Sequence, residues 1–369
     1  MTDLPISSNR KLDVGRARFQ PFGSPTWRKA QDLPGVLARR RFRALRLRFY
    51  RELWRDAAAD AGAELTDLGA GILAFRRGGR LLTASGEALG LDTALLSRLF
   101  GNKPRTLALL AERGLPVPEY VLCSAGEREP AHRLLARAPA GLAVKPAADT
   151  GAGHGVTCGV RTPRDLDRAI RHAASFHADV MVEPMQPGAS FRLLFLDGQF
   201  IDAVRRDPPV VLGDGETTIR TLMRRQTARR LAASRPEALN PLLPDQDAAL
   251  CLAAAGLTLA ARPDAGRLVV VKSAVNQNAA AENHRVVDVH PGIVARLGAA
   301  MCDLGVRLAG VDVMASRLDA PLEETGGVVG EINVAPGLHH HVLVASGPAR
   351  PTVAARILDR LLGATGDRR

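Results

Sequence analysis

The chain has 369 residues, 46% hydrophobic but only 4% aromatic, and a formal net charge of +12. That length makes room for two or three domains. The scarce aromatics leave the cores to Leu, Val, Ala and Ile, and the positive balance favours anionic partners: a nucleotide, a nucleic acid or an acidic substrate. Cys123, Cys158, Cys251 and Cys302 are widely spaced and form no CxxC or CxxH, which argues against zinc ribbons and thioredoxin-like redox chemistry and for free buried thiols. No apolar h-region follows the N-terminus, and no stretch approaches the roughly 20 apolar residues of a membrane span. The expectation is a cytoplasmic protein with no membrane partner.

Residues 1–35 are polar and punctuated by Pro and Gly, as in an extended arm. From 36 to 62 the apolar residues Leu37, Phe42, Leu45, Leu47, Tyr50, Leu53 and Trp54 recur at three to four, which predicts an amphipathic helix. Its Arg-rich back reads first as a solvated face and second as a surface for nucleic acid or a membrane. Two apolar runs flank Arg77-Gly78-Gly79 and predict a hairpin over 64–86. A helix follows at 102–113, closed by Gly114, then turn and strand in LPVPEYVLC.

LAVKPA (142–147) reads as a strand ending in Lys145. It leads into the glycine-rich ADTGAGHGV, then a strand (GVTCGVR), a helix (TPRDLDRAIRHAASFH) and a strand (DVMVEPM). Two apolar runs around Asp197-Gly198 predict a second hairpin. Residues 207–245 read as loop and polar helix, 268–275 as a strand, and NQNAAAENHR as a polar turn. A helix at 292–305, strands at 309–315 and 328–334 and a closing helix, PTVAARILDRLLG, complete the chain. Strands, hairpins and helices interleave, so the class is α+β or mixed α/β. No internal repeat is visible.

The chemistry concentrates in two places. Lys145 ends a strand, and Gly151, Gly153 and Gly155 follow; such a loop lets backbone N–H groups approach phosphate oxygens, with the lysine as a point charge. The stretch has neither the GK[ST] of a Walker A loop nor the strand–glycine–helix order of a Rossmann fingerprint, and suits a flap over a triphosphate. Near the other end, Glu331 and Asn333 are two apart on a strand and share a face, and Asp312 stands alone in the apolar GVDVM. Three oxygen donors from neighbouring strands suit Mg²⁺. His339, His340 and His341 are consecutive and point apart, so a shared zinc site is geometrically poor.

Taken in order, NKPRTLALLAERGLPVPEY, VKPAADTGAGHGV, VMVEPMQPGASFRLLFLDGQF, VVLGDGETTIRTL, VHP, AGVDVMA and GEINVAPGL resemble the ATP-grasp carboxylate–amine ligases. The similarity spans about residues 99–363 and is greatest to the ATP-grasp region of cyanophycin synthetases, with the glutathione synthetase and D-alanine–D-alanine ligase groups further off. It implies an α+β ATP-grasp fold, two lobes gripping ATP: an N-terminal domain at 1–98, a small lobe at 99–188, a large lobe with the Mg/ATP site at 189–363, and a tail at 364–369. It implies Lys103 and Lys145 as phosphate lysines and Gly151, Gly153, His154 and Gly155 as the flap. Met181, Val182 and Glu183 would hold adenine, Arg192 would face phosphate or substrate, and Asp312, Glu331 and Asn333 would bind two Mg²⁺ ions.

The chain departs from the family pattern in two places. Ser190 replaces the acid expected against the ribose. The segment before VHP lacks the glycine pair of cyanophycin synthetases, which leaves Lys272 as a catalytic candidate and Asn276 and Asn278 as substrate candidates; relatives often carry a histidine near the position of His341, which implies His341 as a lining residue of the acceptor pocket. The function implied is ATP-dependent amide or peptide bond formation through an acyl phosphate, giving ADP and phosphate, in the synthesis of a small or peptide-like metabolite. Its partners are a small carboxylate and an amine; a homo-oligomer is left open. Two alternatives remain: a small-molecule kinase on the same fold, and a nucleic-acid-binding protein using the basic helix.

Overall fold

The computed structural model describes residues 33–151, 153–347 and 351–363. Most of the arm expected at 1–35, Ala152 in the glycine loop and the tail expected at 364–369 lie outside the described residues. No helix among the described residues is long and apolar enough to cross a membrane.

Helix α1 (Leu33–Asp60) buries Phe42, Leu45, Phe49, Tyr50, Leu53 and Trp54 along one face. Leu37 and Leu47, read as part of that face, are each 52% exposed. Leu47 lies two residues, about 200° of helical rotation, from Leu45, and Phe49 fills the stripe instead. The Trp54 indole N–H donates to the Gly86 carbonyl at 2.7 Å, fixing α1 over the next strands. These are β1 (Glu64–Gly69), β2 (Ile72–Arg77) and β3 (Arg80–Ser85), an antiparallel meander. The expected hairpin is its second half. The strand the sequence reading lacked is β1, turned back by Gly69, Ala70 and Gly71, all at positive φ.

Helices α2 (Ala94–Phe100) and α3 (Lys103–Glu112) each start on a side-chain cap: Thr93 Oγ1 accepts from the Leu96 N–H and Asn102 Oδ1 from the Arg105 N–H. A four-stranded sheet follows, in the order β4 (Val121–Cys123), β7 (Val180–Pro184), β5 (Leu142–Pro146), β6 (Thr157–Val160). Helices α4 (Glu129–Leu135) and α5 (Pro163–Ala174) cover it through Leu134 and Ile170, packed on Leu142, Val144 and Val182.

A five-stranded antiparallel sheet carries the rest: β12 (Asn283–Arg285), β9 (Gln199–Arg206), β8 (Ala189–Leu196), β13 (Leu308–Ala315), β14 (Val328–Val334). β8 and β9 turn at Asp197 (φ 49°) and Gly198 (φ 73°), as the Asp-Gly pair predicts. A Cβ at Gly198 would lie 2.2 Å from Cys302 Sγ, so glycine there also lets helix α8 (Pro291–Asp303) pack closely. Phe191, Leu193, Val311, Val313 and Ile332 form one face of the sheet, sealed by α2, α3 and α8. On the other face Leu194, Leu196 and Leu308 meet α1 and α11 (Val353–Leu362), and Ser190, Arg192, Arg206, Asp312 and Glu331 form a polar patch beside them.

A smaller unit pairs β10 (Val210–Leu212) with β11 (Leu268–Val270) under α6 (Ile219–Ala232) and α7 (Gln246–Ala254). Helix α7 was not anticipated. The strand expected at 268–275 stops at Val270, and a 3₁₀ turn occupies Val275–Gln277. Two short helices, α9 (Leu322–Thr325) and α10 (His339–Val342), complete the fold.

Candidate active site

Sheet register builds the centre of the polar patch. Glu331 on β14 pairs with Asp312 on β13, which pairs with Arg192 on β8. Asn333 lies opposite Gly310, and its amide N–H donates to the Gly310 carbonyl at 3.3 Å. Arg192 Nη2 donates to Asp312 Oδ2 at 2.9 Å, and Arg192 Nε to Oδ1. Arg206 on β9 reaches the same carboxylate at 3.1 Å and donates to Ser190 Oγ at 2.8 Å.

Two buried guanidiniums thus share one carboxylate. Burial alone would raise the Asp312 pKa, but Arg192 and Arg206 outweigh it and hold it below the usual carboxylate value. Burial would lower Arg192, but its two-point pairing holds it above the ordinary guanidinium value; Arg206, with the smaller share, is left below it.

Helix α3 and the four-stranded sheet each bring a lysine to the same space. Lys103 at the start of α3 is 6% exposed. Its Nζ donates to the Thr150 carbonyl at 3.5 Å and lies 4.0 Å from Glu331 Oε1. Its pKa is lowered, chiefly by burial and only partly restored by Glu331. Lys145 Nζ donates to Glu183 Oε1 at 2.8 Å. Burial would lower its pKa too, but the Glu183 carboxylate more than compensates and the ammonium is held above its ordinary value. Glu183 Oε2 is buried with no hydrogen-bond partner among the described residues.

Glycines are required in the loop between β5 and β6 for steric reasons. Gly153 has φ 66°, and a Cβ there would lie 1.7 Å from Asn276 Nδ2. Gly155 has φ 76°, and a Cβ would lie 2.7 Å from both Phe176 and Pro146. The His154 ring stacks on Phe176 with centroids 6.4 Å apart.

The structure therefore gathers Lys103, Lys145, Glu183, Arg192, Asp312 and Glu331 from the sequence-expected set, with Asn333 beside them and the loop of Gly151, Gly153, His154 and Gly155 next to Lys103. Other expected residues are placed differently. Met181 and Val182 have fully buried side chains and backbones flanked by β4 and β5 on both edges. Their backbone groups are committed to the ladder, and β7 opens toward a ligand only from Glu183 onward, where pairing with β4 ends. Ser190 is buried against Arg206.

Lys272 is not open to the site. It is 2% exposed, with Nζ 2.5 Å from Asp245 Oδ2 and 4.0 Å from Asp247 Oδ2. Asp247 accepts the backbone N–H groups of Cys158, Ser273 and Ala274, which ties β6 to the loop carrying Asn276. Asn278 donates to Asn283 Oδ1 and the Asp207 carbonyl, both structural contacts.

The three histidines diverge. His339 Nδ1 lies 2.9 Å from Tyr50 Oη, and His341 Nδ1 lies 2.9 Å from Asp202 Oδ2 with the imidazole buried. His340 Nδ1 is buried with no hydrogen-bond partner among the described residues. Burial is the largest cause of a lowered pKa in all three, most strongly in His339 and His340. The residue that the sequence reading missed is Arg206. Counting back along the hairpin from Asp197-Gly198 would have found it, since β9 returns Arg206 to Ser190 at the mouth of β8.

No family model matches the chain. It is 26% identical over 335 residues to a cyanophycin synthetase of Trichormus variabilis, covering 84% of this chain and 36% of that one. It is 29% identical over 313 residues to the glutathione biosynthesis bifunctional protein of Lactiplantibacillus plantarum, covering 81% and 40%. The crystal structure of a bifunctional glutathione synthetase from Pasteurella multocida superposes with a TM-score of 0.50 at 21% identity, over 83% of this chain and 43% of that one. The chain spans little more than a third of the length of the Trichormus variabilis cyanophycin synthetase. The fold is ATP-grasp, and the resemblance to the ATP-grasp region of cyanophycin synthetases extends over most of the chain.

Proposed function

We propose that the chain is an ATP-dependent carboxylate–amine ligase, forming an amide or peptide bond through an acyl phosphate and releasing ADP and phosphate. The observation that carries this reading is the approach of Lys103 Nζ to Glu331 Oε1 at 4.0 Å, which sets a phosphate-type lysine against a metal-type acid. In this reading residues 99–188 and 189–363 are the two lobes, and ATP lies between them. The free Glu183 Oε2 and the open edge of β7 beyond it would receive the adenine amino group. Lys103, Lys145 and the backbone N–H groups of the glycine loop would hold the phosphates. His154, turned to Phe176, would steady the loop rather than touch phosphate. Ser190 would not contact the ribose.

Glu331 and Asn333 offer hard oxygens two residues apart, and Asp312 offers a third from the paired strand, a donor set that fits Mg²⁺. Because Asp312 is engaged by both arginines, Glu331 and Asn333 are the readier ligands for the two ions we expect. Bound Mg²⁺ would supply neutralisation of phosphate charge. The protein's own contribution is the surplus of positive charge at Arg192 and Arg206, preorganised and buried where charge develops on the transferring phosphoryl group. No protein nucleophile is needed. Lys272 is reassigned from catalysis to bracing β6 and the glycine loop.

A coupled ADP-release screen over pairs of small carboxylates and amines tests the reading. Release that needs both partners supports it. A phosphorylated product that accumulates and survives without an amine would instead establish the kinase alternative.

A further inference from the structure

Helix α1 supplies none of the residues of the proposed ATP site, yet one of its arginines is tied to the glycine loop. Arg46 lies one turn before Tyr50 on α1 and is half-buried. Its Nη2 donates to Asn240 Oδ1 at 2.8 Å. Asn240 Nδ2 in turn donates to the Asn276 carbonyl at 3.1 Å. Asn276 is the residue whose side-chain amide lies against Gly153, where a Cβ would stand 1.7 Å from Nδ2. One line of contacts, Arg46–Asn240–Asn276–Gly153, thus joins the basic helix to the loop that would cover the phosphates.

The segments that the line crosses are clasped to each other. Arg230, 1% exposed, gives Nη1 to both the Asn240 carbonyl, at 3.0 Å, and the Gln277 carbonyl, at 2.9 Å. Gln277 Oε1 accepts the Leu243 N–H at 2.8 Å. A shift of Asn240 is therefore carried to the turn that holds Asn276. Arg230 ties the two segments together, and Arg46 ties the pair to α1. The Asn240 side chain is the coupling piece, because its amide is planar and its two polar atoms turn together. Releasing Oδ1 from Arg46 also loosens the hold of Nδ2 on Asn276. Such a contiguous chain of hydrogen bonds and packed groups is able to carry energetic coupling between sites.

We propose that Arg46 is a positioning residue for ATP. Through Asn240 it holds Asn276 against Gly153 and so seats the glycine loop where its backbone N–H groups meet the β- and γ-phosphates. The N-terminal helix then contributes to nucleotide affinity without touching nucleotide. This inference rests on one element of the proposed function, the glycine loop as phosphate cover, and is independent of the ligase chemistry. It also predicts a division within the ligand. Glu183 and the open edge of β7, which would receive the adenine, take no part in the line, so only the phosphate end depends on Arg46.

Calorimetric titration of the full chain with Mg²⁺ and a non-hydrolysable ATP analogue, and separately with AMP, tests the line. AMP keeps the adenine and lacks the β- and γ-phosphates, so it reports the site without the loop. Arg46→Ala should weaken the ATP analogue about 10-fold and leave AMP unchanged. Asn240→Asp leaves α1 intact and keeps the acceptor for Arg46, but removes the donor to Asn276. It should weaken the analogue to a similar extent, and the double variant should be no weaker than either single one. Arg48→Ala is the control: this neighbouring arginine donates to the Ala233 carbonyl at 3.4 Å, off the line, and its loss should change neither ligand. Unchanged analogue binding in Arg46→Ala, equal weakening of analogue and AMP, losses that multiply in the double variant, or a matching loss in Arg48→Ala would each overturn the proposal. If the wild type binds the analogue no more tightly than AMP, the loop is not a phosphate cover. That failure of the nucleotide reading takes the proposal with it and shows before any variant is compared.

Discussion

Arg192 and Asp312, 120 residues apart in sequence, are register partners on β8 and β13 and join at two points, with Arg206 on the same carboxylate. One partly buried acid is thus shared by two buried cations, and removing it leaves both uncompensated. Asp312→Ala should cost about 3–5 kcal/mol, the range for breaking a buried pair from one side. Arg192→Ala should cost less, because Arg206 still faces the acid. Urea unfolding of the two variants checks the order; equal losses would show that Arg206 does not share the charge.

The same pair sets an acid limit. The folded Asp312 pKa lies below its unfolded value, so its contribution is complete above about pH 4 and is lost as pH falls through the folded value. Asp312→Asn should flatten stability in that window. A wild-type acid slope retained in this variant would place the titrating carboxylate elsewhere.

His339, His340 and His341 act in a higher window with the same sign. Each is held neutral in the folded chain below its ordinary value, while the unfolded chain takes up protons from about pH 6.5 downward. Stability should therefore fall on acidification below that point, by up to about 1.4 kcal/mol per pH unit for each histidine. Urea midpoints at pH 7.5 and 5.5 should converge step by step as the histidines are replaced by glutamine.

Asp247 tests the brace beneath the glycine loop. Its Oδ2 accepts two backbone N–H groups and its Oδ1 accepts the Cys158 N–H. Asp247→Asn must set an amide donor against backbone donors, so a loss of about 2 kcal/mol or more is expected. Faster hydrogen exchange at the Cys158 amide should accompany it. A stability loss without that local opening would show that β6 is held by other contacts.

Much of the fold could be read from local pattern. β14 lies where the alternation of GEINV placed it, and the Asp197-Gly198 turn does what its dipeptide predicts. What could not be read depends on pairing between distant segments. Nothing near Lys272 shows that Asp245 and Asp247 consume its charge, because α7 arrives from a stretch with no strong periodicity. Likewise, burial of Met181 and Val182 follows from β4 and β5 flanking β7, which the sequence of β7 alone does not reveal. The glycines were read as giving access to phosphate; the structure adds that Gly153 and Gly155 are needed for contact with Asn276 and Phe176.

Gly153 provides a test of that second role. Gly153→Ala meets both a left-handed φ and the Asn276 side chain, and should raise the KM for ATP at least 10-fold. Adding Asn276→Ala removes the collision but not the backbone strain, so recovery should be partial. Full recovery would show that strain at Gly153 is negligible, and none that Asn276 does not seat the loop.

The most direct test of the account is ADP release by the wild type and by Glu331→Gln, each with and without an amine, in the presence of ATP, Mg²⁺ and a carboxylate returned by the screen. ADP should appear in the wild type only when the amine is present, in step with amide, and should be abolished in a Glu331→Gln protein whose unfolding midpoint is unchanged. Release in the wild type with a stable phosphorylated product and no amine, or near-wild-type turnover in Glu331→Gln, would contradict it.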